Sequence, residues 1–443
     1  MIFSTLDKNI EVTTVIIGSG IAAGTLAQKF YDQKKDFIII EAGEFKGDSP
    51  SVSYKNIGLD FGVRSTTRIQ IGGTSNLWHG VLSPLDEIDF KKREWIPNSG
   101  WPVSLNDLKP FYKESASILG VKKFDYFEKE KLSSTLKSQL NKLKFNSNFL
   151  ENKLFQQPVP PLNFKDIIKR ICKSSSFQHL YYNTVALKLV INDSKIDSLL
   201  VGSSDGKIFS VDAKQFIVCC GALESPRLLL NSNIQNNNLG KYLMDHPMGN
   251  LCQLKFLNPG KFPIYSDTKY SKSIKIKSGF ELKENMQKQL KLPNHNFFLR
   301  PSFIEGINNE SEKVKLSLLA FKDGKMRFSD LYKLITNYNV VMQILSYKLS
   351  LNVTFKYADL FFVTEQIPNE TSFVGLSSEK DIWNFPKAEV NWRLCNQDID
   401  AMKRWYHLVL TKFFPLNEYC FSQGIDDFNW ENILLKLSDT IVS

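Results

Sequence analysis

A glycine-rich turn lies between an apolar run and a helical segment close to the beginning of the chain. Val12–Ile17 is a β-branched run typical of a buried parallel strand, and it leads directly into GSGIAAG at residues 18–24. Gly18 permits a tight turn, Gly20 lets the backbone approach a pyrophosphate, and Ala23 lets the helix and the strand pack closely. The pattern predicts the first turn of a βαβ nucleotide-binding unit.

The next residues complete this strand–helix–strand unit. Ala22–Lys34 has the pattern of a helix, and Phe37–Glu41 is a second short buried strand. The helix N-terminus offers N–H groups and a partial positive charge to phosphates. Glu41 ends the second strand, where a carboxylate can accept hydrogen bonds from both ribose hydroxyls. We therefore predict a dinucleotide; the alternative is an ordinary strand–helix turn with Glu41 at the surface.

A second glycine-rich loop, GGTSNLWHG at residues 72–80, lies well outside the first βαβ unit. A nicotinamide enzyme has no need of such a loop. A flavin does, because its flat isoalloxazine ring needs backbone N–H groups near N5 and O4. The loop therefore favours FAD over NAD. For Trp78 and His79, the alternative interpretation is packing beneath the loop.

Further strands and a helix are predicted along the rest of the chain. Tyr181–Val190, Lys207–Val211 and Gln215–Cys220 have the apolar character of strands. Five later segments alternate or cluster like strands of a larger antiparallel sheet: Leu251–Leu257, Val314–Phe321, Leu351–Phe355, Leu360–Glu365 and Ala388–Trp392. Residues 398–414 predict an amphipathic helix, and 415–443 match no pattern.

Two domains follow from this change of pattern, because 443 residues exceed one compact core of ordinary size. We predict an α/β fold in which residues 1–250 form a Rossmann-like FAD/NAD(P)-binding domain. Residues 251–395 form an α+β substrate-binding domain with a mostly antiparallel sheet. The Lys-rich residues 121–165 are predicted as a peripheral excursion, and 396–443 as a C-terminal helix with a divergent tail.

Charge and cysteine content exclude several classes of protein. Lys and Arg number 56 against 46 Asp and Glu, for a net charge of +10, but long basic clusters with interleaved aromatic residues are missing. We therefore predict no nucleic-acid partner, although the excess can attract anionic substrates or surfaces. The six Cys show no C-x-x-C spacing, which favours buried free thiols in a reducing compartment over a metal site.

The N-terminus lacks the pattern of a signal peptide and no apolar run is long enough for a membrane span, so a cytoplasmic location is expected.

Six segments, in the same order, resemble those of the glucose–methanol–choline (GMC) oxidoreductases, in particular the branch that acts on sugars and alcohols. They are residues 15–43 (with GSGIAAGTLA and IIIEAG), 68–78 (RIQIGGTSNLW), 99–112 (SGWPVSLNDLKPFY), 219–232 (CCGALESPRLLLNS), 239–247 (LGKYLMDHP) and 365–376 (EQIPNETSFVGL). Asp381, Pro386 and VNW at 390–392 continue the resemblance. It implies FAD as the cofactor and oxidation of a CH–OH group by hydride transfer to flavin N5.

The resemblance also implies a role for individual residues. Those expected to contact FAD are Gly18, Gly20 and Ala23 at the pyrophosphate, Glu41 at the ribose, Gly73, Thr74, Asn76 and Leu77 at the flavin ring, Val185 at the adenine, and Gly221 and Ala222 on the adenosine side. His79 is a candidate for covalent flavin attachment, as in some relatives. His246 is expected to be a hydrogen-bonded core or interface residue rather than a base, and His179, His295 and His407 to be surface or packing residues.

The chain departs from the family after Trp392. The family places its catalytic His in a C-terminal segment that also adds a last strand to the nucleotide-binding domain, and no such segment is recognisable here. Catalytic residues are therefore not assigned. The first alternative is a truncated or frame-shifted product, a flavin-binding protein that is catalytically inactive. The second is a divergent protein that uses another base, or a partner chain that covers the exposed strand edge. The expected partner is a small alcohol, polyol or sugar; the electron acceptor and the substrate cannot be read from the sequence.

Overall fold

The structure, a computed structural model, describes residues 3–46, 54–59, 61, 67–173, 179–266, 269–303, 305–306, 311–322, 324–349 and 351–421. The strands are β1 Phe3–Ser4, β2 Ile10–Ile17, β3 Ile38–Ile40, β4 Tyr54–Asn56, β5 Leu150–Pro158, β6 His179–Tyr181, β7 Thr184–Asn192, β8 Lys195–Ser203, β9 Ile208–Val218, β10 Met248–Lys261, β11 Lys269–Ser271, β12 Ile274–Leu282, β13 His295–Ser302, β14 Thr354–Thr364, β15 Phe373–Lys380, β16 Pro386–Asn391 and β17 Tyr419–Phe421.

The helices alternate with these strands over most of the chain. They are α1 Ile21–Asp32, α2 Glu87–Phe90, α3 Leu105–Ile118, α4 Ser134–Leu140, α5 Phe164–Cys172, α6 Gly221–Asn231, α7 Glu284–Leu290, α8 Ser311–Lys322, α9 Phe328–Thr336, α10 Tyr338–Leu349 and α11 Asn396–Leu408. Short 3₁₀ turns lie at Gly73–Asn76, Phe124–Phe127, Lys129–Lys131 and Pro263–Tyr265, and a π-helical turn at Val409–Phe413 follows α11.

The first sheet has the order β1-β6-β3-β2-β9-β8-β7. Its first five strands run parallel, and β9, β8 and β7 form an antiparallel meander. The apolar runs are buried on both faces, as expected for a parallel sheet. Ile16 and Ile39 pack with α1 and α5 on one face, whereas Val15 and Ile17 pack with Leu228 of α6 on the other.

The second sheet has the order β11-β12-β13-β14-β10-β17 and is antiparallel throughout, with β5 paired to β12. One face is covered by α4 and α11 and carries a large aromatic core around Phe280 and Phe297. The two sheets with their helices confirm the predicted fold class, a Rossmann-like domain joined to an α+β domain with an antiparallel sheet.

Several predicted elements differ from those observed. Val314–Phe321 is wrong as a strand, because it lies in α8, where Val314 and Ser317 are buried one helical turn apart. Leu351–Phe355 is mostly wrong as a strand, because only its last two residues lie in β14, which also contains most of Leu360–Glu365. Lys207–Val211 and Gln215–Cys220 lie largely in one strand, β9. The apolar runs were predicted as separate strands because polar residues lie between them, but those polar residues are themselves part of the strand.

Two segments take part in sheets other than expected. Residues 121–165, predicted as a peripheral excursion, supply β5 to the second sheet and bury Leu136, Leu140 and Leu154 in its core. The predicted strand Ala388–Trp392 corresponds to β16, which forms a separate three-stranded sheet with β15 and β4. The bounds of the two domains stay a prediction. In the part of the chain that the structure describes, no helix is long and apolar enough to cross a bilayer.

Candidate functional site

The first glycine turn lies where three parallel strands end. Gly18 has a φ of +100°, and a Cβ at this position would stand 2.5 Å from the carbonyl oxygen of Cys219 at the end of β9. The Gly18 N–H donates to the carbonyl of Ile40 in β3 (2.7 Å). A side chain here would push β9 away from β2, so the turn requires glycine both for its left-handed backbone and for this close approach.

The start of α1 follows this turn. Gly20 is the N-cap, with an extended backbone, and its carbonyl accepts the first helical bond from Gly24. Ala23 is fully buried against the sheet, as its predicted packing role requires. Ala22 is exposed, so the first turn of α1 opens to solvent with N–H groups that the helix itself does not use. This is the arrangement expected for a pyrophosphate site.

Glu41 is buried, so the alternative of a surface carboxylate is wrong. Its Oε2 accepts a hydrogen bond from the Ser19 hydroxyl (2.6 Å), and its Oε1 accepts one from the Gly43 N–H (2.7 Å). Burial raises the pKa of the Glu41 carboxyl, and these hydrogen bonds oppose that effect. A carboxylate has about four acceptor positions. The backbone N–H groups of Ser19 and Ala42 also hydrogen-bond to this carboxylate, so a ribose would replace part of these contacts, and that role stays a prediction.

Ser19 joins the two glycine segments, a role that sequence reasoning missed. Its hydroxyl donates to Glu41 and accepts a hydrogen bond from the Gly72 N–H (3.1 Å). The serine lay within the recognised turn, but no sequence pattern indicates which partners a hydroxyl will find 22 and 53 residues away. Through Ser19, the ribose end of the predicted site is tied directly to the second loop.

The second loop begins with two glycines in the left-handed region. Gly72 has a φ of +91° and Gly73 one of +53°, and the loop continues as the 3₁₀ turn Gly73–Asn76. A Cβ on Gly73 would lie 2.9 Å from the α-carbon of Gly20. The two segments thus pack backbone against backbone, and a side chain on Gly73 would force them apart.

Some side chains of this loop hydrogen-bond to its backbone, and others face solvent. Asn76 donates from Nδ2 to the carbonyls of Ile71 (3.1 Å) and Gly73 (2.8 Å), and its Oδ1 accepts from Asn163 (3.1 Å). Its side chain therefore holds the loop in shape. Thr74 is exposed and Leu77 half-buried, so both remain available to a ligand.

Trp78 and His79 behave differently from each other. The Trp78 indole donates to the carbonyl of Leu162 (2.9 Å) and its ring packs 6.4 Å from that of Phe164, which confirms packing beneath the loop for Trp78. His79 is exposed, and its carbonyl accepts from Gln157 of β5 (2.8 Å). This contact brings the second sheet up to the glycine loop. Covalent attachment of a flavin at His79 stays a prediction.

The residues predicted to contact the adenosine part of FAD are Val185, Gly221 and Ala222. Thr184, the neighbour of the buried Val185, donates its N–H to the Glu41 carbonyl (3.0 Å). Gly221 begins α6 directly after β9, has a φ of +74°, and has open space where a Cβ would stand; Ala222 is exposed. The fold therefore gathers the predicted residues around the three strand ends, and their contacts with a cofactor stay predictions.

The second sheet presents a cationic and aromatic face toward this loop. Lys275 lies opposite Gln157 in the β5–β12 register, and Lys277 lies opposite Phe155 two residues further along. The Lys277 ammonium stands 5.0 Å from the centre of the Phe298 ring. Side chains directly opposite one another share a face of a sheet. We name this surface, from Gln157 to Phe298, the sheet wall.

The wall continues into the centre of the second sheet. The Arg300 guanidinium lies 3.3 Å from the centre of the Phe361 ring. Phe155 and Phe298 pack with ring centres 4.9 Å apart. Aromatic rings and cationic side chains therefore alternate along the sheet wall. None of these residues carried a recognisable motif, because side chains from four strands meet here only after the sheet has formed.

For His246, one of the two predicted roles, that of a core residue, is wrong, and the other, that of an interface residue, stays a prediction. His246 is not a core residue: its side chain is 45% exposed, and its Nδ1 lies 3.0 Å from Asp245 Oδ1. The turn before β10 reaches the surface at this point. His295 is buried against Trp405 and His407 is exposed, as expected of packing and surface residues, whereas the side chain of His179 lies outside the described set.

Comparisons with known proteins agree with this arrangement. The family model for GMC oxidoreductase matches residues 169–248, which include β9, α6 and Gly221. No curated protein matches. The match confirms the predicted resemblance to this family.

Solved structures show the same fold at low sequence identity. A formate oxidase shares 14% identity over 98% of this chain and 87% of its own, with a TM-score of 0.52. A variant of the Aspergillus oryzae RIB40 formate oxidase, studied for the modification of its FAD, has the same identity and coverage with a TM-score of 0.50. A fungal aryl-alcohol oxidase shares 13% identity over 96% of this chain and 87% of its own, also with a TM-score of 0.50.

Proposed function

We propose that this chain oxidises a CH–OH group of an alcohol, polyol or sugar with FAD, which when bound supplies a hydride acceptor at N5. The observation that supports the proposal is the direct packing of the two glycine segments against each other. Gly20 and Gly73 leave no room for side chains between them, and Ser19 ties both segments to Glu41. A tight turn without a cofactor would not require a second glycine loop pressed against it.

Each part of the chain has a distinct task in this proposal. The open N-terminus of α1 binds the pyrophosphate, Glu41 accepts the ribose hydroxyls, and the 3₁₀ turn after Gly73 supports the flavin ring. Val185 and α6, which begins at Gly221, border the adenosine end. The sheet wall, which reaches the loop through Gln157 and His79, orients the substrate and excludes water from it.

Reduction of the bound flavin tests this function directly. The full chain is saturated with FAD and titrated without oxygen with simple alcohols, polyols and sugars while flavin absorbance is followed. Bleaching by one of these classes, followed by recovery of colour on admission of oxygen or of an artificial carrier, supports the function and distinguishes an oxidase from a dehydrogenase. We further propose a cytoplasmic location, which fractionation of cells would test.

A second candidate function rests on the edge of β9. Its pairing with β8 reaches Asp212, whereas its pairing with β2 continues to Val218. Beyond Asp212, no strand within the described ranges lies along the far edge of β9, where Phe216 and Val218 are half-buried. In this second candidate function, the chain binds FAD but needs a partner chain at this edge to complete the active site. The bound flavin would then not be reduced by any of the substrate classes when the chain is alone.

A further inference from the structure

Between β13 and β14 the described residues include three helices, and two of them carry apolar residues that face solvent. The chain leaves the second sheet after Ser302, forms α8, α9 and α10, and returns at Thr354. α9 packs on α8, and α10 packs on β13. Large side chains are exposed along both α9 and α10, and their spacing places them on one side of each helix.

The orientation of α9 is fixed by a polar contact. Asp330 accepts a hydrogen bond from the Ser317 hydroxyl of α8 (3.1 Å), so this side of α9 faces the protein. The opposite side carries large apolar or aromatic residues at positions i, i+3, i+4 and i+7, all of them exposed: Phe328, Leu331, Tyr332 and Ile335. Phe328 is 88% exposed and Ile335 is 64% exposed, so α9 turns its apolar stripe toward solvent.

The same relationship holds for α10. Gln343 donates to the carbonyl of Pro301 (3.0 Å) and to Asp359 Oδ2 (3.3 Å), and Val340 is buried, so this side faces the sheet. The opposite side carries a second exposed stripe, with spacings of four, three and four residues: Tyr338, Met342, Leu345 and Leu349. Asn337 alone separates α9 from α10. We name the two stripes together the helical face.

Basic residues border the helical face. Lys325 and Arg327 precede α9, and Lys348 lies in the last turn of α10; all three are exposed. The chain as a whole carries a net charge of +10. Single exposed apolar residues are ordinary on a protein surface. Two consecutive exposed stripes with cations beside them are typical of an interaction surface for a protein or a membrane.

We propose that the helical face docks on a lipid bilayer that contains anionic headgroups. Amphipathic helices of this kind lie in the plane of the interface, with Phe, Leu and Ile among the acyl chains and Lys and Arg at the headgroups. Tyr332 and Tyr338 suit the boundary between the two regions. A second copy of the chain is disfavoured as the occupant, because it would bring the same cations against each other. The inference is independent of the bound cofactor and of the substrate.

Vesicle flotation of the full chain tests the proposal. The chain is mixed with phosphatidylcholine vesicles prepared with and without phosphatidylserine, and the fraction that floats is measured. We expect flotation with phosphatidylserine and a clear decrease without it. The double variant Phe328→Ser and Ile335→Ser should weaken partitioning by about tenfold or more for each residue, because each removes apolar area from the acyl region.

Matched variants and a second measurement keep the test decisive. Phe111→Ser with Leu416→Ser removes one aromatic and one aliphatic side chain that are 61% and 69% exposed outside the helical face, and this variant should float like the unmodified chain. Circular dichroism checks that all variants fold. Absence of flotation with phosphatidylserine would overturn the proposal, as would flotation that survives the Phe328 and Ile335 changes. A dimer in sedimentation that these changes dissociate, without vesicle binding, would assign the helical face to a second copy instead and also overturn it.

Discussion

Gly20 and Gly73 meet backbone to backbone: a Cβ on Gly73 would stand 2.9 Å from the α-carbon of Gly20. The two residues are far apart in the chain and belong to different loops. Their contact, reinforced by the Ser19 hydroxyl that accepts from Gly72 and donates to Glu41, turns two separate glycine motifs into one site.

Replacement of Gly73 by alanine should weaken FAD binding by at least about tenfold. The added methyl group enters the space beside Gly20 and also strains a backbone with a φ of +53°. Gly206→Ala is the matched control, because it imposes similar strain at a φ of +84° in open space. Fluorescence titration with FAD gives both affinities. Equal binding by the two variants would show that the contact with Gly20 does not shape the site.

Removal of the Ser19 hydroxyl should destabilise the fold and weaken FAD binding. Ser19→Ala leaves a buried Glu41 oxygen and the Gly72 N–H without their partner, at a cost of about 1–3 kcal/mol in the free energy of unfolding. Ser210→Ala provides the comparison, since that hydroxyl bonds Asp212 (2.8 Å) in an exposed setting. Urea unfolding with and without FAD measures both effects. If Ser19→Ala resembled Ser210→Ala in both measurements, Ser19 would not couple the loops.

Stability should decrease in mild acid because of His295. Burial lowers the pKa of His295 to about 3, and among the described residues neither of its ring nitrogens has a hydrogen-bond partner. The unfolded chain takes up this proton below a pH of about 6.5 whereas the folded chain does not, so stability falls as the pH decreases from about 6.5 toward 3. Between about pH 7 and pH 5, the loss from this residue is roughly 2 kcal/mol.

Two histidine variants isolate this effect. His295→Phe places an aromatic ring of similar size beside Trp405 and should remove the additional loss in acid, whereas the exposed His407→Phe should leave it in place. Urea unfolding at several pH values gives the slopes. A slope that is the same for His295→Phe and the unmodified chain would contradict the assignment.

A buried ion pair anchors α6, the helix that begins at Gly221. Arg227 Nη2 lies 2.5 Å from Asp381 Oδ2 and Nη1 lies 3.0 Å from Glu224 Oε2, and all three side chains are largely buried. Asp381→Asn should cost about 3–5 kcal/mol in the free energy of unfolding, because it leaves a buried guanidinium short of a partner. Asp205→Asn breaks an exposed ion pair with Lys207 and should leave the melting temperature unchanged. Similar melting temperatures for the two variants would show that Arg227 is not anchored by charge.

The sequence predicted the parts of the fold that depend on local pattern. The turn at Gly18, the helix after it and the buried strand before Glu41 all follow from side-chain size and backbone freedom within a short window. Long-range partners were not predictable in this way. Ser19 looked like any small residue of the turn, and Val314 looked like part of a strand because an apolar run fits either element. The sheet wall at Lys277 exists only through the register of four strands.

Binding of FAD to the full chain is the most direct test of the central claim, that two glycine segments form one cofactor site. The chain, purified and folded, is mixed with FAD, separated from free cofactor, and examined by visible spectroscopy and thermal unfolding. We predict a retained flavin spectrum and a melting temperature that rises with FAD concentration, since a ligand bound to the folded state stabilises it by mass action. A folded chain that stays colourless and melts at the same temperature at every FAD concentration would contradict the account.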